Sequence, residues 1–135
     1  MILEIADIRI PPGRNAEFEA AIGKGLATVI APRATGYIAH KVQRGIESPE
    51  RYLLMIWWQA LENHTVDFRE GPLFAEWRGF IGPFLAVPPH VEHFELASES
   101  GWPGTCAPKM AVPPTANDVI NWAQPVTSVD AVPSV

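Results

Sequence analysis

The sequence has little cysteine and little positive charge. Its single cysteine, Cys106, cannot form an internal disulfide, and no Cys or His spacing resembles a zinc site, whose ligands usually come in closely spaced pairs. Lys and Arg together number 10 and the formal net charge is −5, so the clustered cations that nucleic-acid binding requires are missing. We therefore expect neither a structural metal nor a nucleic-acid partner.

Long apolar runs and targeting signals are also absent. No run approaches the roughly 20 apolar residues that a helix needs to span a bilayer. From Met1 the sequence passes directly into an alternating strand interrupted by Glu4 and Asp7, without a basic leader region or a cleavage site. These features predict a cytoplasmic protein with no membrane partner.

The composition indicates one folded domain with an appendage. Of the 135 residues, 47% are apolar and 19% are charged, which is typical of a globular chain with one core. Residues 97–135 differ, because they are rich in proline and small residues. We predict a domain at 1–96 and a Pro-rich, extended C-terminal arm at 97–135, with one helical turn near Asn117–Trp122, lying on its own domain or on a partner subunit. A disordered tail is the alternative.

Within residues 2–96 the pattern predicts the order β-α-β-β-α-β. Runs rich in β-branched and aromatic residues, bounded by Pro and Gly, mark the strands, and apolar residues at helical spacing mark the helices. The second helix is predicted to break at Gly71-Pro72. This order is the ferredoxin-like α+β fold with a four-stranded antiparallel sheet. The predicted strands span 2–10, 37–44, 51–59 and 90–96, and the predicted helices span about 14–30 and 61–84.

The third predicted strand is apolar on both of its faces. Leu53, Met55 and Trp57 point to one side, and Leu54, Ile56 and Trp58 point to the other. The helices can cover only one face of the sheet. We therefore expect the other face to pack against the same sheet of a second subunit, which predicts a two-fold homodimer with a barrel-like core, a dimeric α/β barrel.

Three segments resemble the antibiotic biosynthesis monooxygenase family. They are PPGRNAEFEAAI before and in the first helix, the hairpin GYIAHKVQRGIESPERYLLMIWW, and LENHTVDFREGPLFAEWRGFIGPF followed by VEHF. The family includes small oxygenases that use neither metal nor flavin, quinol oxygenases and haem-degrading enzymes. The resemblance, which covers about residues 2–96, implies a monooxygenase without a cofactor that oxidises an electron-rich aromatic, quinol or polyketide-like substrate with O2.

His64 is the first candidate for a catalytic residue. Its spacing from Leu61 and Phe68 places it on the apolar face of its helix, and it matches the helix histidine that is common in the family. An imidazole with an ordinary pKa of about 6.5 can accept a proton at neutral pH. A histidine hydrogen-bonded within the core is the alternative.

His93 and Asn63 complete the predicted catalytic set. His93 shares its strand parity with Val91 and Glu95. If that parity faces the helices, His93 pairs with His64; otherwise it lies at the dimer interface. Asn63 adjoins His64 and is expected to help shape the cavity.

Aromatic and cationic side chains are predicted to bind the substrate. Aromatic walls offer stacking area to a planar substrate, although core packing alone also explains aromatics at helical spacing. Arg78, together with Arg69, would orient an acidic group. The predicted substrate-binding residues are Trp58, Phe68, Phe74, Trp77 and Arg78.

Two departures from the family affect the expected chemistry. The haem-degrading branch uses an asparagine on its first strand. Here that strand has no asparagine, and Asp7 is taken as its polar candidate. The missing asparagine disfavours haem binding. The anthrone-oxidising branch uses a pocket tyrosine, but Tyr37 and Tyr52 lie outside the helical cover. Two other functions therefore stay open: a non-oxidative isomerase, cyclase or dehydratase, and a non-catalytic dimeric protein that binds a small ligand.

Overall fold

The structure is a computed structural model that describes residues 1–101. A compact unit spans Met1–Ala97. None of the helices within the described part is long and apolar enough to cross a membrane. The predicted helical turn near 117–122, and the predicted arm beyond residue 101, lie outside the described residues.

The described elements follow the predicted order β-α-β-β-α-β. Most of their ends fall within one or two residues of the predicted positions, and the second helical stretch is interrupted at Gly71-Pro72 as expected. The elements are β1 Ile2–Arg9, α1 Asn15–Gly25, a π-helix π1 Leu26–Ile30, α2 Ala31–Arg33, β2 Tyr37–Arg44, β3 Arg51–Trp58, a second π-helix π2 Asn63–Phe68, α3 Leu73–Ile81, a 3₁₀ turn Gly82–Phe84, and β4 His90–Glu95.

The four strands form one antiparallel sheet in the order β2-β3-β1-β4. This confirms the predicted ferredoxin-like α+β fold. Since β1 lies between β3 and β4, its residue Glu4 pairs with Ile56 on one side and with His93 on the other. The first and last strands of the domain thus lie side by side, with β4 at one edge of the sheet.

One face of the sheet carries the core. Even-numbered side chains of β1 and β3 point towards the helices because strand residues alternate in direction, and all of them except Ile2 are almost completely buried. On the opposite face, the odd-numbered apolar side chains Leu3, Ile5, Leu53, Met55 and Trp57 are only partly buried in the single chain. The buried strand residues are Glu4, Ala6, Ile8, Tyr52, Leu54, Ile56 and Trp58.

The helices approach each other closely at Gly25. A Cβ atom built there would lie 2.9 Å from the ring of Trp77 and 3.2 Å from Cβ of Phe80. Both distances are shorter than ordinary van der Waals contact. The glycine at this position therefore lets Trp77 of α3 pack against α1 and fixes the ring that forms part of the cavity described next.

Candidate active site

A cavity of about 580 Å³ lies between the sheet and the π2–α3 stretch. This volume is in the range of sites that bind drug-sized ligands. Most of its wall is apolar, and the loop at Leu85–Pro89 contributes one side of it. Within the described residues, four titratable side chains reach the wall: Glu4, His64, Arg69 and Arg78.

His64 is held in place by the π2 helix and by two aromatic rings. The backbone N–H of Arg69 donates to the carbonyl oxygen of His64 at 3.0 Å, which is the five-residue bond of a π-helix. Such turns are rare and often occur at functional sites. The imidazole is 3% exposed and stacks on Trp58, with ring centroids 5.5 Å apart, and on Phe68 at 6.0 Å. These contacts leave the ring little freedom to turn.

A buried polar chain runs through the two nitrogens of His64. Its Nδ1 lies 2.7 Å from Nε2 of His93, and its Nε2 lies 3.4 Å from Oε2 of Glu4. The indole Nε1–H of Trp58 donates to Oε1 of Glu4 at 2.9 Å. We refer to Glu4, Trp58, His64 and His93 as the polar chain.

The partners of the polar chain indicate where its protons lie. A neutral His64 that faces the Glu4 carboxylate with Nε2 carries its hydrogen there, so Nδ1 accepts from Nε2–H of His93. Every donor then points towards Glu4. Within the described part, every buried side-chain nitrogen and oxygen has a hydrogen-bond partner, which is the condition for keeping such polar groups in a core.

Burial changes the proton affinities of both central groups. It raises the pKa of Glu4 to about 7, although the Trp58 hydrogen bond and the Arg69 charge act in the opposite direction. Burial, together with the charges of His93 and Arg69, lowers the pKa of His64 to about 4. Removal from water disfavours the charged form of each group. Near neutral pH the titrating group of the pair is therefore the carboxyl of Glu4.

The prediction that Asp7 is the polar candidate on the first strand is wrong. Asp7 points to the opposite face of the sheet, where it accepts from Arg51 at 2.8 Å. Glu4 has the same parity as the buried Ala6 and Ile8 and so reaches the cavity. The alternation Glu4-Ala6-Ile8-Ile10 was the sequence signal for this acid, because a charged residue on an otherwise apolar strand face is unusual.

The structure brings His93 to His64, which was one of the two placements predicted for it. The alternative placement, at a dimer interface, does not hold, since Nε2 of His93 bonds His64 on the helix side of the sheet. Burial, followed by the charge of Arg69, lowers the pKa of His93. His93 is only partly buried and therefore joins the chain at its outer end.

Asn63 and Trp58 do not line the cavity. The Oδ1 atom of Asn63 accepts from the backbone N–H of Ala60 at 2.9 Å, and its Nδ2 donates to Asp67 at 3.1 Å. These bonds give Asn63 a role in starting π2 rather than a place beside a ligand. Trp58 is completely buried behind His64, so it positions Glu4 and His64 instead of contacting a substrate.

The remaining predicted substrate-binding residues do line the cavity. They are Phe68, Phe74, Trp77 and Arg78. The rings of Phe68 and Phe74 meet edge to face, with centroids 5.8 Å apart. Within residues 1–101, no group of three or more His, Cys, Asp or Glu side chains is arranged to hold a metal ion.

Comparison with known proteins agrees with this architecture. The profile of the antibiotic biosynthesis monooxygenase family matches residues 1–79. The uncharacterised protein YczJ of Bacillus subtilis is 36% identical over 95 residues, which cover 70% of this chain and 98% of that protein. Among solved structures, a Bordetella bronchiseptica protein assigned to the antibiotic biosynthesis monooxygenases is 40% identical, with a TM-score of 0.67, and the match covers 72% of this chain and 97% of that chain.

A more distant solved structure shares the fold. The haem degrader MhuD of Mycobacterium tuberculosis is 22% identical, with a TM-score of 0.60 over 75% of this chain and all of its own. At that identity the likeness concerns the fold alone. The profile match and the nearer relatives lead to one conclusion: the chain belongs to the antibiotic biosynthesis monooxygenase family.

Proposed function

We propose that this protein is a cofactor-independent monooxygenase that oxidises an electron-rich aromatic, quinol or polyketide-like substrate with O2. The observation that carries the proposal is the buried Glu4–His64 pair on the wall of a largely apolar cavity. A carboxyl that titrates near neutral pH can take a proton from a phenol or an activated CH2 group. The apolar wall keeps water from the anion that results.

In this proposal the base is the Glu4–His64 pair, with the proton received by Glu4. The sequence pointed to His64 as the base, but an imidazole whose pKa is about 4 binds protons weakly at neutral pH. The Glu4 carboxyl, with its pKa near 7, is better matched to the task. His64, oriented by His93, faces the carboxylate with its N–H, and Trp58 holds the other oxygen.

The reaction balances without a further reactant. Removal of one proton from a ring CH2 that is tautomeric with a phenol gives a carbanion, which passes one electron to O2. The substrate radical and superoxide join through a new C–O bond. The second C–H proton passes to the terminal oxygen as the O–O bond breaks, which leaves a carbonyl and hydroxide. The hydroxide takes the proton from Glu4 and becomes water. One CH2 group and one O2 thus yield one C=O group and one H2O.

Haem is not part of this proposal. An axial histidine must offer iron a free ring nitrogen, but Nδ1 of His64 is hydrogen-bonded to His93, and Nε2 lies only 3.4 Å from Oε2 of Glu4. On β1, the polar residue that faces the cavity is Glu4, a glutamate rather than an asparagine. The residues of the site therefore do not fit haem as they stand, and no step is assigned to it.

We also propose that the protein is a homodimer. The sheet face away from the helices carries partly buried apolar side chains, among them Met55 and Trp57, and Phe94 is 46% exposed. An apolar face of this kind needs a cover, and a two-fold pairing of sheets supplies one. The cytoplasm stays the predicted compartment.

The oxygenase proposal is tested by isotope incorporation. Metal-free purified protein is incubated with dithranol, an anthrone, under ¹⁸O2, and the rate without protein is subtracted. We expect one ¹⁸O atom in the product carbonyl and no turnover under argon. Turnover that continues under argon would instead support the non-oxidative isomerase, cyclase or dehydratase, which uses the same base. Ligand binding without turnover in either gas, across anthrones and quinols, would support the binding protein.

A further inference from the structure

Two arginines on the cavity wall differ from the other arginines of the chain. Arg69 follows π2 and Arg78 lies in the last turn of α3, and both line the cavity. Within residues 1–101 neither side chain forms an ion pair or a side-chain hydrogen bond. The other five arginines each contact a carboxylate: Arg9 and Arg51 with Asp7, Arg14 with Glu17, Arg33 with Glu76, and Arg44 with Glu19.

One aromatic ring holds both of these cations. The guanidinium carbon of Arg69 lies 5.3 Å from the ring centroid of Phe74, and that of Arg78 lies 5.8 Å from it. Contacts of this kind attract a cation to the ring but leave its N–H groups free. Two guanidinium groups beside one ring therefore present a donor surface that suits a carboxylate, which arginine binds with two parallel hydrogen bonds.

The same cavity contains the polar chain. The charge of Arg69 reaches Glu4, His64 and His93, since it lowers the pKa of each of them. The same wall is otherwise largely apolar and aromatic, with Phe68, Phe74 and Trp77. A ligand that satisfies the arginines, the aromatic wall and Glu4 together must carry an anionic group, a flat ring and an acidic O–H or C–H group.

We propose that the substrate is an aromatic acid, whose carboxylate is bound by Arg69 and Arg78 while its phenol or activated CH2 group reaches Glu4. This inference rests on the proposed function and names its substrate class. The two arginines act as specificity determinants, because a neutral aromatic of the same shape leaves their donors facing only water. They place the reacting group at the base without taking part in the proton transfer.

The test compares an aromatic acid with its methyl ester, which lacks the negative charge. Binding of 1-hydroxy-2-naphthoic acid and of its methyl ester is measured by calorimetry under argon. We expect the wild-type protein to prefer the acid by about tenfold or more, the range expected for one charge-assisted hydrogen bond. Arg69→Gln and Arg78→Gln are each expected to weaken acid binding about tenfold and to leave ester binding unchanged. Lys24→Gln, which removes a cation from the exposed side of α1, serves as the control and should behave like the wild type.

Equal binding of acid and ester by the wild-type protein would overturn the inference, as would a preference for the acid that survives in the double variant Arg69→Gln, Arg78→Gln. Circular dichroism checks that the variants fold. Since binding is measured without O2, the result is independent of turnover. A preference for the acid, with no oxygen-dependent turnover of anthrones or quinols that carry a carboxylate, removes the oxygenase proposal alone. Turnover with no preference removes the aromatic-acid proposal alone.

Discussion

Oε2 of Glu4 and Nε2 of His64 lie 3.4 Å apart in the core, where the two residues are 5% and 3% exposed. Glu4 comes from β1 in the middle of the sheet, and His64 comes from the π2 helix above it. Burial drives their pKa values in opposite directions.

Replacement of Glu4 by glutamine should abolish turnover. Glu4→Gln keeps an oxygen that accepts from Trp58 but cannot take up a proton, and loss of a general base typically lowers kcat by roughly 10² to 10⁴. We expect substrate affinity to stay close to that of the wild type. The measurement is steady-state oxidation of dithranol. Asp7→Asn, on the same strand but on the opposite face, is the control and should retain wild-type kcat; equal rates in both variants would exclude Glu4 as the base.

The same variant should become more stable than the wild type as pH rises. Because the folded-state pKa of Glu4 is about 7 and its ordinary value is 4.5, the unfolded chain loses its proton first, and Glu4 lowers the stability of the fold progressively between those two values. Above pH 7 the full cost is roughly 3 kcal/mol. We therefore expect the free energy of unfolding of Glu4→Gln to exceed that of the wild type by an amount that grows from pH 4.5 to 7 and then stays constant.

His64 contributes with the opposite sign. Its pKa falls from 6.5 to about 4 on folding, so the unfolded chain takes up a proton first as pH falls from 6.5 to 4, and stability is lost over that range. The wild type and Glu4→Gln share this loss of stability, so it largely cancels in the difference between their free energies of unfolding. Urea denaturation at half-unit pH steps measures both effects, and a difference that does not change with pH would contradict the raised pKa of Glu4.

Gly36→Ala should cost more stability than Gly13→Ala. Both glycines have a positive φ, +80° at Gly36 and +81° at Gly13, so each substitution brings a backbone strain of about 1 kcal/mol. A Cβ at Gly36 would also clash with the Asn63 side chain, whereas a Cβ at Gly13 meets nothing within 4 Å. We expect the excess loss at Gly36 to appear as a lower thermal midpoint. Equal midpoints would mean that Asn63 moves away at no cost.

The homodimer is tested by a charge on the outer sheet face. Met55 lies in the middle of β3 on that face, and Met55→Lys would bury a cation between two subunits. We expect the variant to sediment as a monomer at concentrations where the wild type is a dimer. Ile46→Lys, in the exposed hairpin where Ile46 is 89% exposed, should leave the mass unchanged. A monomeric wild type, or a dimeric Met55→Lys, would argue against pairing through this face.

Some of the site was recognisable from local pattern. The apolar spacing around His64 placed it on a buried helix face, and the structure puts it there. The helical spacing of apolar residues predicted the position of His64 but not the π-helical form of π2. A π-helix holds an extra residue in its turn, and packing against neighbouring elements decides where that residue is placed. Asn63 was expected at the cavity, but its side-chain amide forms hydrogen bonds with Ala60 and Asp67 instead. The spacing of residues in the sequence does not predict which hydrogen-bond partner a side chain takes.

The sequence by itself determined the order of strands and helices, the antiparallel sheet and the apolar character of both sheet faces, because these follow from residue periodicity and from turn residues at the element ends. Only the tertiary structure decided that Glu4, His64 and His93 meet and that the carboxyl, rather than the imidazole, titrates near pH 7. The physical reason is that pairing between β1 and β4, and the depth of burial beneath π2, depend on contacts between distant parts of the chain. Proton affinity follows that environment, which no local pattern specifies.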